Sequence, residues 1–127
     1  MAALSIDVIV ATYNRARFLR GLLNSVVCAP VPPDLTVTVT VVDNNSTDDT
    51  AAVVQEVARY SRRPVRYVVE TAAGKSAALN TGIRQTAGDV VAFLDDDEVV
   101  APGWFESLAR VLADERIDFV SGRCSTM

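Results

Sequence analysis

The chain contains no histidine in its 127 residues, which removes imidazole general-base chemistry, Ser-His-Asp triads and histidine-ligated metals together. Acid-base work falls to aspartate and glutamate. Cysteine is scarce: Cys28 and Cys124 stand far apart in apolar surroundings. That pattern predicts reduced core thiols of a cytoplasmic protein, with neither a disulfide framework nor a zinc site. Basic runs are missing as well. Twelve Lys and Arg face sixteen Asp and Glu, a formal charge of −4, and nucleic acid or anionic membrane would require a cationic face. No segment approaches the roughly 20 apolar residues that span a bilayer. Met1 to Asp7 also lacks the basic and apolar regions of a secretion signal. The expected location is therefore the cytoplasm, with membrane association left open for a longer, complete enzyme. Internal repeats, low-complexity tracts and linkers are absent, so residues 1–127, 50% hydrophobic, read as one domain with an ordinary core.

What is present is a βα rhythm. Leu4 to Ala11 predicts a strand. Phe18, Leu22, Leu23 and Val26 recur at helical spacing over Arg15 to Cys28, with Asn14 as a cap, before Pro30, Pro32 and Pro33 break the chain. Leu35 to Asp43 is a second strand, and Ser46 to Asp49 opens a helix that runs through Tyr60. A third strand, Val65 to Glu70, leads to a helix over Lys75 to Ala87 with Leu79 and Ile83 facing inward and Gly88 as its stop. Val90 to Asp95 is a fourth strand. Pro102 starts a helix with a stripe of Trp104, Leu108, Val111 and Leu112, and Ile117 to Val120 begins a fifth strand. Alternating strands and helices imply a mainly parallel, helix-flanked α/β sheet of Rossmann-like type, which binds ligands beyond its strand carboxyl ends.

Two acidic clusters end strands at that edge. Asp43 stands where the second strand stops and before the helix cap begins, placed to accept a hydrogen bond from a nucleotide base. The neighbouring Asn44, Asn45, Ser46 and Asp48 are more simply a turn and cap. Asp95, Asp96, Asp97 and Glu98 crowd four acids onto one strand end, a repulsion that a cation relieves most simply. A hard Mg²⁺ or Mn²⁺ takes one or two such carboxylates and completes its shell with water and phosphate oxygens. Gly74-Lys75-Ser76 before an acidic strand imitates a P-loop pair, but the loop's first glycine is replaced by Val69 inside a strand. Lys75 remains a candidate phosphate or base neighbour.

Four segments in order resemble a family 2 glycosyltransferase, an inverting group with the A-type nucleotide-diphospho-sugar transferase fold. They are Val8 to Arg15, Val42 to Asp48, Gly74 to Ile83, and Phe93 to Asp97 leading to Pro102-Gly103-Trp104. The resemblance implies that Thr12, Tyr13 and Asn14 line the base pocket, that Ala11 belongs to the nucleotide site, and that Asp43 reads the base. It implies too that Lys75 and Asn80 flank the nucleotide, that Asp95 and Asp96 lie beside it, and that Asp97, with Asp95, holds the metal of an Asp-X-Asp motif. Ala11 departs from a proline common in the family. The resemblance further places the general base in a second half of the fold, beyond Met127, since Glu98 does not match it.

The expected protein is thus the nucleotide-binding portion of a transferase that takes a nucleotide-diphospho-sugar, a uridine one by preference, with Mg²⁺ or Mn²⁺. Its acceptor would be a sugar, lipid or protein. The alternative is a non-catalytic nucleotide-sugar module or truncated remnant. A nucleotidyltransferase would need a glycine-rich basic loop where this chain has Ala-Thr-Tyr-Asn-Arg. A sheet region left uncovered near Ile117 to Val120 is a candidate surface for homo-oligomers.

Overall fold

A computed structural model describes residues 3–114 and 125–126. The elements in chain order are β1 (Leu4–Thr12), α1 (Ala16–Cys28), β2 (Leu35–Asp43), α2 (Thr50–Tyr60) and β3 (Val65–Val69). They continue with α3 (Lys75–Arg84), β4 (Val90–Asp95), β5 (Glu98–Val99), α4 (Trp104–Leu112) and β6 (Ser125–Thr126). Four strands form a parallel sheet in the order β3-β2-β1-β4, and β5 pairs with β6 antiparallel. The expected helix-flanked parallel architecture is the one observed. From β1 the chain moves outward through β2 and β3, then returns to place β4 on the other side of β1. The strand order therefore reverses at β1, and ligands of such sheets bind at that kind of crevice.

Strand periodicity divides the core in two. Ile6, Val8 and Val10 of β1 and Val37, Val39 and Val41 of β2 point to one face, where Leu19, Leu22, Leu23 and Val26 of α1, Val54 and Val57 of α2, and Phe105 of α4 bury them. Ile9 and Val42 point to the other face, under Ala78 of α3. Gly82 explains how α3 comes so close: a Cβ there would lie 2.6 Å from Ile9 Cγ2.

Several local expectations are corrected. Of the two residues expected inward on α3, Leu79 is half-buried and packs against the Ile9 and Val42 cluster whereas Ile83 is exposed, and the buried residues are Ala78, Thr81 and Gly82. The close approach of the helix at Gly82 leaves room there only for a small residue, and Ile83 beside it is turned to solvent. The helix also ends at Arg84, before Gly88; that glycine instead donates its N–H to the buried Asp7 carboxylate at 2.8 Å. On α4 the expected stripe holds in part: Trp104, Leu108 and Leu112 are half-buried against the core and Val111 is exposed, while the most buried residues are Phe105 and Ala109. Residues 46–49 form a turn, and α2 starts at Thr50. Cys28 is exposed at the end of α1 and is not a core thiol. Cys124 and the strand expected over 117–120 lie outside the described residues. Among the described residues no helix is long and apolar enough to cross a membrane.

Candidate functional site

Register carries the polar residues to one edge. Thr12 pairs with Asp43 across β1 and β2, and Ala11 pairs with Asp95 across β1 and β4. On the face of α1 and α2, the buried row of Val10 and Val41 thus ends in Thr12 and Asp43. On the α3 face, the row ends in Ala11 and Asp95. A cleft of about 330 Å³ opens over this edge, lined by Ala11, Thr12, Tyr13 and Arg15 on one side and Lys75 and Asp95 to Asp97 on the other, with Asn44 and Ala78 between. Its size is within the range of small-molecule sites.

The turn after β1 is held by an exchange of caps. Asn14, at φ 50°, accepts at Oδ1 from the backbone N–H of Thr47 at 2.7 Å and of Asp48 at 3.3 Å. Asp48 in return accepts from the N–H of Ala16, in the first turn of α1, at 3.1 Å. Asn14 therefore does not cap its own helix. Its short amide tolerates the left-handed conformation and ties the β1–α1 turn to the β2–α2 turn. The carboxyl of Asp48 is held below its usual range, chiefly by the Thr50 hydroxyl.

Asp43 is buried and accepts a hydrogen bond on each oxygen. Oδ1 accepts from the N–H of Ser46 at 2.9 Å and Oδ2 from the Tyr67 hydroxyl at 2.5 Å. Burial, then the bond to Asp43, pushes the Tyr67 phenol up to about 12, so it remains a donor throughout the physiological range. Asn44 fastens the next loop: its amide donates to Glu70 O at 2.8 Å and Ala72 O at 2.7 Å, and its Oδ1 accepts from Gly74 N at 3.0 Å. Gly74 sits at φ +114°, a conformation that favours glycine, and the chain turns there into α3. Lys75 is thereby delivered to the cleft rim.

The chain itself supplies two cations to the four acids of the turn, which leaves negative charge for the expected metal to relieve. Lys75 Nζ lies 2.6 Å from Asp95 Oδ1, and Arg15 reaches Asp96 and Asp97, each at 3.4 Å. The Asp95 bond raises the Lys75 ammonium above its ordinary value. Asp96 is buried and accepts from Thr12 Oγ1 at 2.9 Å; burial raises its carboxyl, while Thr12 and Arg15 oppose the rise. Glu98 Oε1 accepts from the Asp95 N–H at 2.7 Å and so closes the turn.

The structure thus gathers Ala11, Thr12, Tyr13, Lys75, Asp95, Asp96 and Asp97 at one cleft. Asp43 lies just beneath the edge, Asn14 builds the adjoining turn, and Asn80 is exposed on α3 without lining the cleft. Sequence reasoning misses Arg15, Asn44 and Tyr67 as site residues. Arg15 closes the first of the four family-like segments, and Tyr67 shares the strand parity of Asp43; both signals could have found them. Among the described residues no three acidic or thiol side chains converge as a metal cage. The donor set still suits a hard cation that takes one or two carboxylates, because Asp97 is only partly covered and its ion pair is long.

A parallel α/β sheet with an acidic turn and a cleft at the carboxyl edge of β1, β2 and β4 defines a nucleotide-sugar transferase fold, and the comparisons agree. The chain matches the family described as glycosyl transferase family 2 over residues 7–126. It belongs to that family. It is 33% identical over 121 residues to the GalNAc(5)-diNAcBac-PP-undecaprenol beta-1,3-glucosyltransferase of Campylobacter jejuni, covering 94% of this chain and 38% of that protein. Among solved structures it resembles the mannosyltransferase PcManGT of Pyrobaculum calidifontis, solved with GDP-Man and Mn²⁺, at TM-score 0.79 and 32% identity, covering 90% of this chain and 34% of that one. TarS of Staphylococcus aureus is similar at TM-score 0.79 and 26% identity, covering 89% and 33% respectively. The chain spans well under half the length of the curated relatives it matches.

Proposed function

We propose that this domain binds a nucleotide-diphospho-sugar together with Mg²⁺ or Mn²⁺, and that the complete enzyme transfers the sugar to an acceptor hydroxyl with inversion. The observation that carries the reading is the single cleft where Thr12 and Tyr13, Lys75, and Asp95 to Asp97 meet above Asp43. Tyr13, 56% exposed beside the cleft, offers a ring for a base to stack on. Asp43 reads the base edge from below. With Ser46 on Oδ1 and Tyr67 on Oδ2, each oxygen keeps a lone pair that can accept from a base N–H. Uridine is the expected base, supported by the likeness to TarS, which has been solved with UDP and with UDP-GlcNAc.

Asp95 takes the ribose side and Asp97 the cation, which when bound neutralises charge gathering on the departing diphosphate. Lys75 stands opposite Arg15 across the acidic turn, where phosphate oxygens would lie. Glu98 is committed to the Asp95 N–H, so the general base is assigned to the part of the relatives' length that this chain does not span. A module that binds donor without transferring it is the second reading, favoured by that commitment of Glu98.

Calorimetry with uridine and guanosine diphosphates, with and without Mn²⁺, tests the reading. Uridine diphosphate should bind with Mn²⁺ and be largely lost on chelation or in Asp97→Ala. Asp43→Ala should weaken it roughly tenfold or more, as removal of a charge-assisted hydrogen bond does. Equal affinity in EDTA overturns the metal role, and no nucleotide binding at all overturns the donor reading.

A further inference from the structure

Arg15 touches two members of the acidic turn, yet it is held loosely. Its Nη1 and Nη2 lie 3.4 Å from Asp96 Oδ1 and Asp97 Oδ2, its side chain is 44% exposed, and its guanidinium lies over the Phe18 ring at 5.0 Å. Charge-assisted bonds of this kind usually close to about 2.7–2.9 Å. The ring supplies a second resting place, so the guanidinium can leave either carboxylate without backbone movement. Across the turn Lys75 is bound more closely, at 2.6 Å from Asp95. Both cations line the cleft itself.

We infer that Arg15 is a diphosphate ligand parked on the acidic turn, which it leaves when a divalent cation takes Asp97 and the diphosphate enters the cleft. The inference rests on the donor reading above. A cation arriving alone must displace Arg15 from Asp97 and then repels the guanidinium it has freed. A diphosphate arriving alone meets Asp95, Asp96 and Asp97. When both arrive, each charge finds a partner: the cation gains Asp97 and phosphate oxygens, and the planar guanidinium offers two parallel N–H groups to the phosphate. Asp96 keeps its bond from Thr12 throughout. Cation and diphosphate therefore bind with synergy, and Arg15 opposes the first while assisting the second.

Two affinities of opposite sign test this in Arg15→Gln: that for Mn²⁺ alone, followed by the spin-resonance signal of free Mn²⁺, and that for uridine diphosphate at saturating Mn²⁺, by calorimetry. Mn²⁺ alone should bind about threefold tighter, the scale of one exposed ion pair removed. Uridine diphosphate should bind roughly tenfold weaker, the scale of removing one charge-assisted bond to phosphate. Arg15→Lys, which keeps the charge, should fall between wild type and Arg15→Gln on both, and thermal unfolding should show all three equally folded. Weaker nucleotide binding without tighter Mn²⁺ binding overturns the parking, tighter Mn²⁺ binding with nucleotide affinity intact overturns the ligand role, and two unchanged or two weakened affinities overturn both. If wild type itself fails to bind uridine diphosphate with Mn²⁺, the donor reading falls and takes this inference with it; if wild type binds and the variants match it, this inference alone falls.

Discussion

The two faces of the sheet are built on different terms. On the α1 and α2 face, aliphatic side chains from five elements interlock with Phe105 of α4, and Leu19, Leu22, Leu23, Val26, Val39 and Val41 are wholly buried. On the other face, among the described residues, a single helix of ten residues covers Ile9 and Val42 with Ala78. Polar groups are buried there too: Asp7 with its bond from Gly88, and Thr40, whose hydroxyl has no hydrogen-bond partner among the described residues. The first face supplies cohesion through apolar area, which is non-directional and forgiving of detail. The second supplies proximity. Its small residues let α3 approach the sheet, so that the first residue of that helix, Lys75, reaches Asp95 across the cleft. Stability and site geometry therefore depend on different residues.

Truncation in the thick face should produce the largest effect. Leu22→Ala should cost about 2–5 kcal/mol, the range for buried leucine cavities, measured by denaturant unfolding, while the folded fraction still binds nucleotide normally. Next comes Gly82→Ala, whose Cβ would meet Ile9 Cγ2 at 2.6 Å and Val42 Cγ2 at 3.2 Å. Overpacking of this kind costs about 1–3 kcal/mol, against a gain of up to about 1 kcal/mol in helix propensity. The difference to look for is in binding: Gly82→Ala should weaken the donor by shifting α3 and Lys75, whereas Leu22→Ala should not. If both variants lose stability with donor affinity untouched, the division of labour between the faces is broken.

A gain is expected on the thin face. Thr40→Val removes a buried hydroxyl that satisfies nothing and should stabilise the protein by about 1 kcal/mol; a loss would show that the hydroxyl has a role there. Tyr67 sharpens the comparison from the other side, because it belongs to the apolar face but serves the site. Its phenol titrates at about 12 in the folded protein, above the roughly 10 of a free tyrosine. A raised value means that the folded state holds the proton more tightly. The stabilisation is thus complete below about pH 10 and lost as pH rises toward about 12. Relative to wild type, Tyr67→Phe should therefore flatten the alkaline end of the stability curve by about 1 kcal/mol. An unchanged curve would remove the Tyr67 bond to Asp43 from the account.

Much of this is legible in one dimension, and particular residues show why. The β-branched runs ending in Asp43 and Asp95 predict parallel strands and place both carboxylates at one edge, because period-2 burial and strand direction are local properties. The face of α3 is not legible. Leu79 and Ile83 have the spacing of an inward stripe, and Leu79 does pack against the sheet, but Ile83 is exposed because the face is chosen by what lies opposite, and Ile9 and Val42 take Ala78 and Gly82 most closely. The role of Asn14 is hidden in the same way, since its partners Thr47 and Asp48 are more than thirty positions away.

The sequence by itself determined the alternation of strands and helices, the absence of imidazole chemistry, and the family, since four ordered segments and a match over residues 7–126 require no coordinates. Tertiary structure alone decided the charge pairing of the site. That Arg15 answers Asp96 and Asp97, that Lys75 answers Asp95, and that Tyr67 closes one oxygen of Asp43 are pairings between residues 20 to 82 positions apart. Electrostatic partnership falls off over a few ångströms of space, and no local pattern in the chain records which distant side chain will fill that distance.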